Sequence, residues 1–180
     1  ISLGLESARQ AVASLKKGRR IEELEQFALN DSMTGFYNRN AYDYFIYNEK
    51  NIKNYMVVTF DLNNLKMCND NYGHSSGDAY IIHSAHIIET TFDRFGKCYR
   101  IGGDEFCCLI PDAAEFQIER FIQKMQQDIA ILNNKNIIPT EVGIACGYAL
   151  ATPDDADIEK VRERADEMMY NNKKVLKGLI

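Results

Sequence analysis

Midway along the chain two short apolar runs, residues 98–99 and 106–110, are joined by Ile101-Gly102-Gly103-Asp104-Glu105. The join reads as a β-hairpin. A hairpin commits its two strands to antiparallel pairing, so any sheet built around it is antiparallel at that point. The two glycines permit a sharp turn and let a ligand approach the backbone, and two adjacent carboxylates project from the turn. Carboxylates on a tight hairpin beside glycines suit a hard cation that carries a nucleotide phosphate. Taken alone, the same residues also describe a solvated hairpin loop.

The segments around the hairpin set the rest of the architecture. Residues 55–62 (Tyr-Met-Val-Val-Thr-Phe-Asp-Leu) form a β-branched and aromatic run, a buried strand with Asp61 at its end. Residues 63–73 are polar and turn-rich with a short helical piece. Residues 77–95 read as a long helix with Ile81, Ile82, Ala85 and Ile88 on its apolar side. Pro111-Asp112 opens a helix over about 113–133, in which Phe116, Ile118, Phe121, Ile122, Met125 and Ile129 are apolar. Residues 142–151 form a glycine-containing apolar strand, and Pro153-Asp154-Asp155 caps a last helix over about 157–176. Asp31 or Ser32 is the expected N-cap of a helix that runs to about 48. Strands interleaved with helices predict an α/β (α+β) sandwich with a central, mostly antiparallel sheet flanked by helices.

The first 30 residues are different. Leu5, Ala8, Val12 and Leu15 follow a helical spacing, and Ile21, Leu24 and Ala28 repeat it after Lys16-Lys17-Gly18-Arg19-Arg20 shifts the phase. Two readings stand side by side: a helical stem that forms one strand of a dimeric coiled coil, or a helix packed on its own domain. The division expected is a stem over 1–30 and one domain over 31–180.

Composition narrows the function. Of the 180 residues 46% are hydrophobic, enough for a proper core, and the formal net charge is −5. An acidic chain without a basic tract argues against non-specific nucleic-acid binding, so a site for a phosphate anion must be locally basic or bridged by metal. The five cysteines, Cys68, Cys98, Cys107, Cys108 and Cys146, lack a Cys-x-x-Cys spacing and read as small buried hydrophobes in a reducing cytosol. His83 and His86 read as surface or partly buried histidines rather than ligands. No apolar run is long enough to cross a bilayer, and direct membrane contact by this fragment is not expected. The chain begins with Ile1, which points to a fragment of a longer protein, compatible with a membrane-anchored parent; the cysteine usage places the fragment in the cytoplasm.

Between Phe60 and Asp78 the chain gathers a carboxylate for metal (Asp61), a lysine for phosphate (Lys66), and amide and carboxylate groups suited to a base edge. A carboxylate accepts from the N1–H and the exocyclic amine of guanine together, and an asparagine amide complements the remaining edge. Asp78 and Asn69 are of those types. Singly, each has an ordinary reading: Asp61 as a loop cap, Lys66, Lys173 and Lys177 as solvated lysines, Asn69-Asp70 as turn chemistry, Arg162 and Asp166 as a surface pair.

Four motifs stand in order: Asp31-Ser32-Met33-Thr34-Gly35-Phe36-Tyr37-Asn38-Arg39, the segment 60–78, Gly102-Gly103-Asp104-Glu105-Phe106, and Ala165-Asp166-x-x-Met169-Tyr170-x-x-Lys173. Together, over about residues 28–178, the chain resembles the GGDEF domain of diguanylate cyclases, which make cyclic di-GMP from two GTP. The resemblance implies a nucleotidyl-cyclase or palm-like fold, Mg²⁺ (or Mn²⁺) as cofactor, GTP as substrate, a homodimer for catalysis and an upstream sensory domain. It implies that Asp61, the Leu62 carbonyl, Asp104 and Glu105 face the metal, and that Asp104 accepts the proton. Lys66 would stabilise charge in the transition state. Asn69, His74 and Asp78 would bind the nucleotide, with Asn69 and Asp78 on the guanine. Lys173 and Lys177, four apart on one helix face, would meet the phosphates; the family usually has Arg at the place of Lys177. Asp31 and Arg39 are expected to be structural, a cap and a bridge that fix the entry segment.

Two positions depart from the pattern. The family's inhibitory Arg-x-x-Asp motif is replaced by Asp93 and Gly96, with Arg94 and Lys97 out of register, so no product binding is expected there. Asn63 stands where Asp is common, with little effect expected. Two other functions remain: a catalytically silent module that binds GTP or a partner, and a cyclase acting on ATP or mixed nucleotides, against which Asp78 speaks.

Overall fold

The computed structural model describes residues 28–49, 51–113 and 117–176. In chain order the elements are α1 (Arg39–Asn48), β1 (Met56–Asn63), α2 (Leu65–Tyr72), α3 (His74–Phe92), β2 (Lys97–Arg100), β3 (Glu105–Ile110), α4 (Ile118–Asn134), β4 (Gly143–Leu150) and α5 (Ile158–Leu176). The stem expected over 1–30 lies outside the described residues except for 28–30. The strands form one sheet in the order β2-β3-β1-β4, and every neighbouring pair is antiparallel.

β1 is buried along its whole length, Asp61 and Asn63 included, because helices cover both faces of the sheet. On one face Val58, Phe60, Leu62, Phe106 and Cys108 pack with Ile88, Phe92 and Met125 from α3 and α4. On the other, Val57, Tyr99, Cys107 and Leu109 pack with Tyr42 of α1 and Val161 and Ala165 of α5. Adjacent strand residues point to opposite faces, so Cys107 and Cys108 separate into the two cores. All five cysteines are free and buried.

Glycine brings α5 close to the sheet. A Cβ on Gly147 of β4 would overlap the carbonyl oxygen of Ala165 and the amide nitrogen of Met169. One turn further on, Asn172 accepts from the Cys146 amide at 3.1 Å. These contacts fix the height at which the C-terminal turns of α5 cross the end of β1.

Several local expectations change. Asp31 and Ser32 do not cap the first helix. Asn38 does, accepting from the Ala41 amide at 3.0 Å, and Asp31 instead closes a turn through the Thr34 amide and hydroxyl. Arg39 bridges Asp43 on the surface, not the entry segment. The long helix starts at His74, and Ile82 is exposed. The helix expected from 113 starts at Ile118, after Gln117, whose ψ of 70° is not helical. Asp155 binds the Thr152 amide and hydroxyl, while Asp157 accepts from Lys160 at the start of α5.

Candidate active site

Part of the expected site gathers where β1 ends, beside the β2–β3 turn. Asp61 sits opposite Glu105 on β3 and Ala145 on β4. Its side chain is 12% exposed, and Oδ1 accepts from Lys173 Nζ of α5 at 2.5 Å. A carboxylate this buried requires a cationic partner, and Lys173 is that partner. One residue on, the Leu62 amide donates to the Asp104 carbonyl at 3.0 Å. The amide and carbonyl of an extended residue point to the same side, so the Leu62 carbonyl also faces the signature loop.

The loop is held by a residue that the motif reading passed over. Arg100 donates from Nε to the Gly102 carbonyl (3.2 Å), from Nη2 to the Gly103 carbonyl (2.8 Å) and from Nη1 to Asp31 Oδ1 (3.0 Å). One planar guanidinium thereby ties the glycine carbonyls to the entry segment. The available signal was an arginine two residues before a pair of glycines, a donor fork within reach of their carbonyls. Burial raises the Asp31 carboxyl, but the bonds from Thr34 and Arg100 outweigh it and hold the group below its ordinary value. Neither loop glycine adopts a positive φ, so sharp turning is not their role. A Cβ on Gly103 would meet nothing within 4 Å; the glycine leaves bare backbone open to a ligand.

After β1, Asn64 takes a left-handed φ of 61° and turns the chain into α2. This aims Lys66 and Met67 over a cavity of about 450 Å³ lined by Leu62, Lys66, Met67, Asp70, Asp104 and Lys173 among others. Four of the expected residues, Leu62, Asp104, Lys66 and Lys173, therefore share one space, and Asp61 joins it through Lys173. Asp70 and Met67 line it as well. Gly73, at φ 83°, links α2 to α3, and His74 and Asp78 stand exposed on the first turns of α3. Asn69 packs its amide on Gly77, where a Cβ would overlap Oδ1. Asn69, His74 and Asp78 thus form a second group near the α2–α3 junction and do not line the Lys66–Lys173 cavity. Glu105 lines a separate space of about 290 Å³ on the α5 face, with Thr59, Arg162, Asp166 and Met169. Arg162, 17% exposed, lies 3.5 Å from Asp166, more buried than the surface pair the sequence suggested. Burial raises the Asp166 carboxyl despite Arg162. Lys177 lies outside the described residues.

Cavity volume alone does not pick the site. A space of about 470 Å³ between the end of β1, α4 and β4 is larger, but among the described residues its only charged lining residue is Glu141. The 450 Å³ space combines two lysines with carboxylates and main-chain oxygen, the donor types for phosphate and a hard cation. Among the described residues no three His, Cys, Asp or Glu side chains converge as a ready-made metal cluster. Two carboxylates and a carbonyl nonetheless fit Mg²⁺, which takes few protein ligands and completes its shell with water and substrate phosphates.

Comparison with known proteins shows the family and the fold. A family model described as "Diguanylate cyclase, GGDEF domain" matches residues 28–177. Diguanylate cyclase DgcN of Escherichia coli (strain K12) is 31% identical over 157 residues, 84% of this chain and 38% of that protein. Diguanylate cyclase DgcS of Shewanella oneidensis is 26% identical over 168 residues, 88% of this chain and 54% of that protein. The chain therefore spans 38% and 54% of the length of these curated relatives. The coiled coil and GGDEF domain of DgcB from Caulobacter crescentus, solved in complex with c-di-GMP, superimposes with a TM-score of 0.80 at 22% identity, over 97% of this chain and 95% of that one. Diguanylate cyclase SiaD from Pseudomonas aeruginosa, solved with its activator SiaC, gives 0.71 at 21% identity, over 94% and 68%. These structures establish the fold.

Proposed function

Because the chain belongs to the diguanylate cyclase GGDEF-domain family, we propose that it condenses two GTP into cyclic di-GMP and two pyrophosphates. The observation that carries this reading is the meeting of Asp104, Leu62, Lys66 and Lys173 in one cavity, with Asp61 bonded to Lys173 at its edge.

Asp61, Asp104 and the Leu62 carbonyl would hold Mg²⁺ or Mn²⁺, whose chemistry when bound is to neutralise charge on phosphate oxygens. Lys66 stabilises charge in the transition state and Lys173 binds the triphosphate, with Lys177 as a further phosphate contact. Asn69 and Asp78 take the guanine edge, with His74 beside them. Asp104 accepts the proton as the 3′-oxygen of one GTP bonds to the α-phosphorus of the other, and the bond to pyrophosphate breaks in line. Glu105, on the α5 face, adds negative charge next to Asp61. Each domain carries one nucleotide, so two copies must face each other, and the stem over 1–30 raises their effective concentration. An upstream sensory domain would act through that stem, in the cytoplasm. The primary inhibitory site is lost. Asp93 replaces its arginine, and a side chain on Gly96 would run into the Leu109 carbonyl, so the missing aspartate has no room to return.

Incubating the chain with GTP and Mg²⁺, then separating the nucleotides, tests the reading. Cyclic di-GMP is expected, and Asp104→Ala should lower its rate by about 10²-fold or more. GTP bound without product at any protein concentration would instead favour a silent binding module.

A further inference from the structure

The bond between Lys173 and Asp61 has a consequence for the order in which ligands bind. Lys173 Nζ lies 2.5 Å from Asp61 Oδ1, and the two side chains are only 25% and 12% exposed. The pair is built in: α5 is pinned to β4 at Gly147 and through Asn172, the neighbour of Lys173. A divalent cation bound by Asp61 draws on the same carboxylate charge that the ammonium already holds through Oδ1. Two cations on one buried carboxylate repel each other strongly. Lys173 also lines the 450 Å³ cavity, so an anion placed there offers it a second partner within reach of a side-chain rotation.

We propose that Lys173 is an exchangeable counter-cation for Asp61: it competes with free divalent metal and leaves only when a polyphosphate arrives to take it. The inference rests on the functional reading above and deepens it. Metal and nucleoside triphosphate then bind with positive coupling, because each removes one partner from the lysine–aspartate pair. The coupling is reciprocal: the triphosphate tightens metal by the same factor by which metal tightens the triphosphate. Lys66 lines the same cavity, and no bond joins it to Asp61 among the described contacts. It supplies positive field without the exchange.

The test is Mn²⁺ binding, read from the electron paramagnetic resonance signal of the free ion, with and without a non-reactive GTP analogue. It compares the native chain, Lys173→Met and Lys66→Met, with circular dichroism to check folding. Free Mn²⁺ should bind Lys173→Met about tenfold or more tightly than the native chain, since a charge-assisted bond no longer competes. The gain that the analogue confers on Mn²⁺ binding should shrink in the same variant, while the analogue itself binds less tightly. Equal Mn²⁺ affinity in the native chain and Lys173→Met would overturn the proposal. Equal tightening in Lys66→Met would also overturn it, since general repulsion would then account for the effect. Failure of the analogue to bind the native chain would count against the functional reading, and the Mn²⁺ comparison without nucleotide would still decide the exchange.

Discussion

At the scale of single residues, the candidate site is built from groups held in place by their neighbours. Arg100 secures the glycine carbonyls of the signature loop and Asp31 together. Asn69 is held against Gly77, where no side chain intervenes. Gly77→Ala should therefore separate stability from function. The added Cβ meets only the far end of the Asn69 side chain, so the backbone stays in place. Alanine inside a helix is favoured over glycine by roughly 0.5–1 kcal/mol. Melting temperature should hold or rise. The displaced amide should weaken GTP binding about tenfold, the worth of about one hydrogen bond. Calorimetric titration of GTP beside a thermal melt checks both, and unchanged affinity would remove Asn69 from the nucleotide site.

At the scale of elements, α5 positions Lys173, and the position depends on the close approach at Gly147. Gly147→Ala places a methyl against backbone atoms of Ala165 and Met169, which cannot rotate away. A loss of about 1–3 kcal/mol is expected in denaturant unfolding, and the displacement of α5 should also weaken metal-dependent GTP binding. The elements themselves were largely legible in the sequence, because periodicity and apolar runs report burial directly: β1 reads as a continuous apolar run since helices cover both its faces. Less legible were the caps. Asp31, Asn38, Asp155 and Asp157 are all plausible caps by type, and only tertiary partners decide among them. Arg100 holds Asp31 to a turn sixty-nine residues away, a pairing that no local pattern encodes. The site was legible as a set of residue types, but its division was not. Asp104, Lys66 and Lys173 share a cavity, while Glu105, the first residue of β3, faces another on the α5 side.

At the scale of the whole molecule, one domain presents half of what the proposed reaction needs. In that proposal the sheet end would supply metal-binding oxygens and two lysines, and the α2–α3 junction the base-reading group, for one nucleotide. The second nucleotide must come on another copy. The rate per chain is the most direct test of that arrangement, measured as cyclic di-GMP formed from saturating GTP and Mg²⁺ over a wide range of protein concentration. The account predicts a rate per chain that rises with protein concentration and levels off once the copies pair. A constant rate per chain down to the lowest concentrations, where the protein is shown to be monomeric, would contradict it.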